Sequence, residues 1–160
     1  MTKGGFFIPS FFVIGESGLI WYQNYTLTDL SKGERKTMVS HLGIKFTDLG
    51  DDYLEGSMPV DYRTQQPFGL LHGGASCVLG ETLGSVASNL VIDHEKFYAV
   101  GQSLTAHHLK SAKDGHVVGV CSAIHLGRSS HIWDINIFNQ DKSLLICRVT
   151  LTTAIRPAVK

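Results

Sequence analysis

Two neighbouring stretches of the chain carry residue types that could do chemistry together. His72-Gly73-Gly74 opens a segment in which Glu81 and Ser85 follow nine and thirteen residues after the histidine. Glycines let a backbone approach a ligand closely, and the N–H groups of a helix's first turn have no partner inside the helix. Such a helix end favours developing negative charge, so it could polarise a carbonyl oxygen on its way to an oxyanion. Glu81 and Ser85 stand one turn apart and share a helix face. A carboxylate is expensive to bury unpaired, and burial would raise its pKa toward the range of a general base. The bland alternative is a glycine-rich turn with a satisfied histidine, followed by a solvated helix glutamate and serine. HGG alone is weak; a donor and a base held on one helix is a more specific pattern.

The elements that must hold these residues are legible in outline. Ala75–Ile92 is predicted as a long helix, although Gly80 and Gly84 each cost on the order of 1 kcal/mol in a helix interior. It therefore needs tertiary support. Small residues at 80, 84, 87 and 88 line one side, where a sheet can approach, and Val78, Leu79, Leu83, Val86 and Leu90 supply apolar bulk. An earlier helix is predicted from Tyr25 to Leu42, with Thr28 as N-cap and Gly43 as its stop. Strands are predicted at Ile44–Leu49 and Tyr53–Pro59 around Gly50-Asp51-Asp52, then at about 97–109, 116–126, 131–138 and 144–155. Their separators, Lys113-Asp114-Gly115 among them, are turn-prone. This order implies an α+β domain in which an antiparallel sheet covers the central helix, with the last four strands able to form a meander.

Composition narrows the function classes. The chain has 160 residues, with 14 basic against 14 acidic side chains, a normal globular balance that gives no general reason to bind nucleic acid. No apolar run reaches the ~18 residues of a membrane helix. Met1–Gly18 has a faintly leader-like apolar core, interrupted by Pro9 and Ser10 and lacking a small-x-small cleavage site, and it reads as a loosely attached extension before a domain from 19 to 160. Cys77, Cys121 and Cys147 are an odd number with no CxxC pair, which fits a reducing, cytoplasmic compartment. Cys77 reads as an inert thiol in an apolar helix. The histidines do not form a metal set: adjacent His107 and His108 point to opposite faces of a strand, while His116, His125 and His131 fall on separate strand segments.

The run Gln65-Gln66-Pro67-Phe68-Gly69-Leu70-Leu71-His72-Gly73-Gly74-Ala75, followed by Glu81 and Ser85, resembles the hotdog-fold acyl-CoA thioesterases. The resemblance is to the PaaI-like branch, which includes enzymes of menaquinone synthesis (acting on 1,4-dihydroxy-2-naphthoyl-CoA) and of enterobactin proofreading. It runs from about Leu19 to Ile155 and includes Met58-Pro59-Val60-Asp61, His108-Leu109-Lys110-Ser111-Ala112 and His125-Leu126-Gly127. It implies a hotdog fold, an antiparallel sheet wrapped around one long helix. It implies homodimers paired into tetramers, with active sites at the subunit interface, and an acyl-CoA substrate hydrolysed without metal or organic cofactor. Carried over by motif, Glu81 is the catalytic base or nucleophile, Gln66 orients water or thioester, and His72 hydrogen-bonds near the carbonyl. Gly73 N–H polarises that carbonyl and Ser85 assists at the carboxylate. Gln66, His72 and Gly73 of one subunit would face Glu81 and Ser85 of the other. Tyr62, Phe68 and Val86 are expected to line the acyl pocket, and His108, Lys110, Ser111 and Arg128 to contact coenzyme A. Relatives carry arginine where Lys110 stands, and place the basic residue after Gly127 differently from Arg128; lysine offers a point charge without the bidentate fork.

Two other functions use the same fold. A hotdog dehydratase or isomerase employs a differently placed His/Asp pair, against which the Gln66–His72–Glu81 set argues. A non-catalytic module would bind acyl thioesters without turning them over.

Overall fold

The computed structural model describes residues 19–31 and 36–158. The expected extension, 1–18, lies outside them. Among the described residues nine elements follow in order: α1 (Leu27–Ser31), α2 (Met38–His41), β1 (Lys45–Leu49), β2 (Tyr53–Pro59), α3 (Gly73–Val91), β3 (Phe97–His108), β4 (His116–Leu126), β5 (Ser130–Asn139) and β6 (Leu145–Pro157). The six strands form one antiparallel sheet in the order β1-β2-β4-β5-β6-β3.

The central helix is held as its composition requires. A Cβ on Gly80 would lie 2.9 Å from Val149 Cγ1, and one on Gly84 would lie 2.5 Å from Leu151 Cδ2. Glycine at these two positions lets α3 sink onto β6. Its larger side chains, Leu79 and Leu83, are fully buried in the core that also holds Trp133, Ile135 and Val149. Burying a leucine side chain contributes on the order of 2 kcal/mol, which offsets the weak intrinsic propensity. Ser88 supplies the polar anchor: its Oγ accepts from Trp133 Nε1 at 2.7 Å and lies 2.7 Å from Thr153 Oγ1 and 3.2 Å from His131 Nδ1.

The expected strand pattern holds with one change of topology. β4, β5 and β6 form a meander, whereas β3 joins the far edge beside β6 and leaves β4 to pair with β2. The reason is the helix. α3 packs against β2, β4, β5, β6 and β3, so it crosses the sheet and delivers the chain to the edge opposite its starting side. The return segment then passes under the helix N-terminus, where Leu71 N–H donates to Ala112 O at 2.8 Å.

The single early helix is also corrected. Two short helices replace it, and residues 32–35 between them lie outside the described set. Local hydrogen bonds explain the two starts. Thr26 N–H and hydroxyl both donate to Asp29 Oδ2, at 2.9 and 2.7 Å, so Thr26 rather than Thr28 precedes α1. Thr37 N–H donates to Ser40 Oγ at 3.1 Å and begins α2 afresh. Gly43 ends it as expected, with φ +70°.

Candidate active site

The loop before α3 is built by short-range hydrogen bonds that fix Gln66 and His72. Buried Thr64 donates its hydroxyl to Pro59 O at 2.7 Å, and His72 N–H returns to Thr64 O at 2.8 Å. Asp61 takes Arg63 in a forked ion pair, which holds its carboxyl below the usual range. Gln65 Nε2 donates to Lys113 O at 2.7 Å and ties the loop to the segment before β4. Gln66 Oε1 accepts from Phe68 N–H. That bond engages the amide oxygen and leaves the NH₂ as the free end.

His72 is the N-cap of α3. Its Nδ1 accepts from Gly74 N–H at 2.8 Å. A backbone N–H can only donate, so in the neutral ring the proton sits on Nε2, facing outward. Gly73 N–H meets no protein acceptor among the described residues. It is one of the open donors of the first turn. A cavity of about 360 Å³ lies here, with Gln66, Gly73, His108, Lys110 and Ser111 in its wall. At its Gly73 end the cavity presents the open Gly73 N–H together with the Gln66 side chain. That arrangement suits an electron-rich carbonyl oxygen.

Glu81 lies elsewhere. It is exposed. It shares a second, mostly apolar cavity of about 450 Å³ with Ser85, Val86, Val78, Met38 and Val39. On its other side the carboxylate touches β3: a Cβ built on Gly101 would be 2.4 Å from Oε1. Asn89 secures this part of the strand, with Nδ2 donating to Ala99 O and Oδ1 accepting from Ala99 N–H, both at 3.0 Å. Cys77, one turn before Glu81, is raised by burial and then by the glutamate charge, so it stays a thiol.

The residues singled out from sequence thus fall into two groups within the chain. Gln66, Gly73, His108, Lys110 and Ser111 line the first cavity, with His72 capping the helix at its edge; Glu81, Ser85 and Val86 line the second. Tyr62 and Phe68, each 88% exposed, lie outside both walls, as does Arg128 in the β4–β5 turn. Met38 and Val39 were missed. Their only signal was the apolar side of the early helix, which reads as core rather than as pocket. Among the described residues no group of three or more His, Cys, Asp or Glu side chains could hold a metal ion. None of the described helices is long and apolar enough to cross a membrane.

Comparison with known proteins gives the family. The sequence pattern of the Thioesterase superfamily matches residues 68–146, a span that begins in the Gln66–His72 loop and contains Glu81. The chain is 49% identical over 137 residues to the 1,4-dihydroxy-2-naphthoyl-CoA hydrolase of Escherichia coli K12, covering 86% of this chain and 99% of that one. It is 48% identical over 137 residues to the proofreading thioesterase EntH of Cronobacter sakazakii, covering 86% and 98%. Among solved structures, a mutant of thioesterase PA1618 from Pseudomonas aeruginosa superposes with TM-score 0.84 at 45% identity, over 87% of this chain and 99% of that one. Thioesterase HI1161 of Haemophilus influenzae matches equally well in shape, with TM-score 0.84 at 37% identity over 89% and 98%. The long helix under a six-stranded antiparallel sheet, the open Gly73 donor and these relatives lead to one assignment: the chain belongs to the hotdog-fold thioesterase superfamily and is a thioester hydrolase.

Proposed function

We propose that this enzyme hydrolyses aromatic acyl-CoA thioesters of the 1,4-dihydroxy-2-naphthoyl or benzoyl type, and medium-chain ones, to the free acid and coenzyme A. The observation that carries the reading is the open Gly73 N–H at the start of the long helix, in one cavity wall with Gln66 and next to the capping His72. In the reaction, the thioester carbonyl oxygen lies against Gly73 N–H and the His72 ring. Glu81 either takes a proton from water as water attacks the carbonyl carbon, or attacks that carbon itself to give a mixed anhydride that water then cleaves to the free acid. The electron pair moves to the oxygen, where the helix-end donor meets the growing charge; one such donor is worth ~10²–10³ in rate. Collapse expels the coenzyme A thiolate, which takes up a proton. Ser85, one turn beyond Glu81, orients the carboxylate or its water, and Gln66 orients the water or thioester. His108, Lys110, Ser111 and Arg128 serve the coenzyme A arm.

The working unit is a homodimer, paired into a tetramer, with Gln66, His72 and Gly73 of one subunit facing Glu81 and Ser85 of its partner. Three features support this. The two groups occupy separate cavities in one chain. β3 is a long edge strand hydrogen-bonded on one side only, and Phe97, Tyr98 and Val100 along it are 38–44% exposed. Such an edge invites pairing with a second copy. Glu81 stands at that edge, and exposed Tyr62 and Phe68 are available to complete the acyl pocket across it. The three cysteines are free thiols, in keeping with a cytoplasmic location.

The test is thiol release from a panel of benzoyl-, hydroxybenzoyl-, 1,4-dihydroxy-2-naphthoyl-, phenylacetyl- and straight-chain acyl-CoA esters, with Glu81→Ala beside the wild type. A preference for aromatic esters, abolished by the substitution in a folded protein, is expected. Turnover surviving in Glu81→Ala would remove the glutamate from the reaction.

A further inference from the structure

The Gly73 cavity is backed by a thiol–imidazole pair whose thiol the reaction above does not use, and whose imidazole it assigns only to the coenzyme A arm. Cys147 and His108 are direct partners in the β3–β6 ladder, and Cys147 Sγ lies 3.4 Å from His108 Nδ1. The other ring nitrogen points toward α3: a Cβ on Gly73 would lie 2.6 Å from His108 Nε2. In a helix the Cα–Cβ direction leans toward the N-terminus, the end to which the open N–H groups also point. The imidazole therefore bridges a fully buried thiol and the first residue of the catalytic helix. Burial, with the neighbouring Cys77 thiol adding to it, pushes Cys147 up to about 11. The thiol keeps its proton, and with its S–H turned to Nδ1 the ring accepts there and carries its own proton on Nε2.

We propose that Cys147 is a positioning residue: its S–H donates to His108 Nδ1 and holds the ring as the Nε2–H form, aimed across Gly73 as a further donor to the thioester carbonyl oxygen. The donor role rests on the thioesterase reading; the ring's tautomer does not. His72 is set in the same form by Gly74 N–H. Two imidazoles would then flank the open backbone donor, each with its proton directed outward by a partner on the far side of its ring. A thiol is a weak donor, but a deeply buried one has no competing water.

Two substitutions and one spectroscopic reading test this. Cys147→Ser keeps a hydroxyl donor of similar size, whereas Cys147→Ala removes the donor. Nitrogen-15 NMR of the imidazoles, taken on the whole protein without substrate, is expected to show His108 protonated at Nε2 in the wild type and in Cys147→Ser, and a mixture of tautomers in Cys147→Ala. For the acyl-CoA ester turned over best, kcat should fall roughly tenfold in Cys147→Ala with KM little changed, and stay within about threefold of wild type in Cys147→Ser. A purely structural cysteine would lower the unfolding midpoint without moving the tautomer. Nδ1–H on His108 in the wild type would overturn the proposal whatever the activity. So would equal losses of kcat in the two variants with an unchanged tautomer. If the wild-type chain turned over no thioester while His108 was protonated at Nε2, the donor role would fall with the thioesterase reading and the ring orientation would stand.

Discussion

Glu81 lies directly on the backbone of Gly101, so that a Cβ at 101 would meet its carboxylate oxygen at 2.4 Å and its Cδ at 3.2 Å. The two residues come from the middle of the central helix and from the edge strand. Asn89, two turns further along α3, bonds both backbone groups of Ala99 and so holds that strand in place. The glycine is thus the floor on which the carboxylate rests.

Gly101→Ala should therefore damage catalysis more than stability. The added methyl must push Glu81 from its position, and kcat is expected to fall at least about tenfold, as small misplacements at a reacting centre do. The unfolding free energy should change by less than ~1 kcal/mol, because the carboxylate is exposed and can swing away. Steady-state kinetics beside urea unfolding, with the molecular mass checked by sedimentation, tests the pair. An unchanged kcat would mean that Glu81 does not work from this position.

Gly84→Ala should show the opposite balance. Its Cβ would sit 2.5 Å from Leu151 Cδ2 inside a closed core. The helix would gain intrinsic propensity of about 1 kcal/mol but lose close packing worth some 1–3 kcal/mol. A net loss of stability is expected from the chemical unfolding midpoint, and a rise would show that Leu151 moves aside freely.

Stability should fall with acid because of His131. Burial, and then the nearby His125, push its imidazole down to about 4. In the unfolded chain it titrates near 6.5, so between the two values the unfolded state binds more protons. The contribution is complete above pH 6.5 and is lost as pH falls toward 4, up to about 3 kcal/mol. His131→Gln should flatten the pH dependence of unfolding over that window at constant protein concentration, and an identical slope would assign the acid lability elsewhere.

Met38 should tune acyl size. It is 62% exposed and forms part of the wall of the apolar Glu81 cavity. Met38→Ala is expected to raise kcat/KM for longer or bulkier acyl-CoA esters relative to short ones by about tenfold, the scale of one or two methylenes in a pocket. Met38→Trp should reverse the preference. A ratio that moves with neither substitution would place the acyl group away from α2.

Much of this molecule was legible before any coordinates. Strands such as Tyr53–Pro59 and His116–Leu126 appear where alternation and turn residues put them, because strand signals are local. The small residues of α3 marked the face that meets the sheet for a similarly local reason: only a residue without bulk lets backbones close in. The residues proposed to react were visible too, since His72, Gly73, Glu81 and Ser85 lie within a single stretch of chain.

The tertiary structure decided what depends on distant partners. Nothing in the spacing of β3 places it beside β6, because strand order follows from the path of the helix over the sheet. The seat of Glu81 on Gly101 and the contact of Cys147 with His108 join residues far apart in sequence, and no periodicity encodes them. The same holds for Met38, whose pocket exists only once α2 packs beside α3. Local pattern specifies which residues make an element and which chemistry they carry. The contacts that aim that chemistry arise only when long-range packing brings separate elements together.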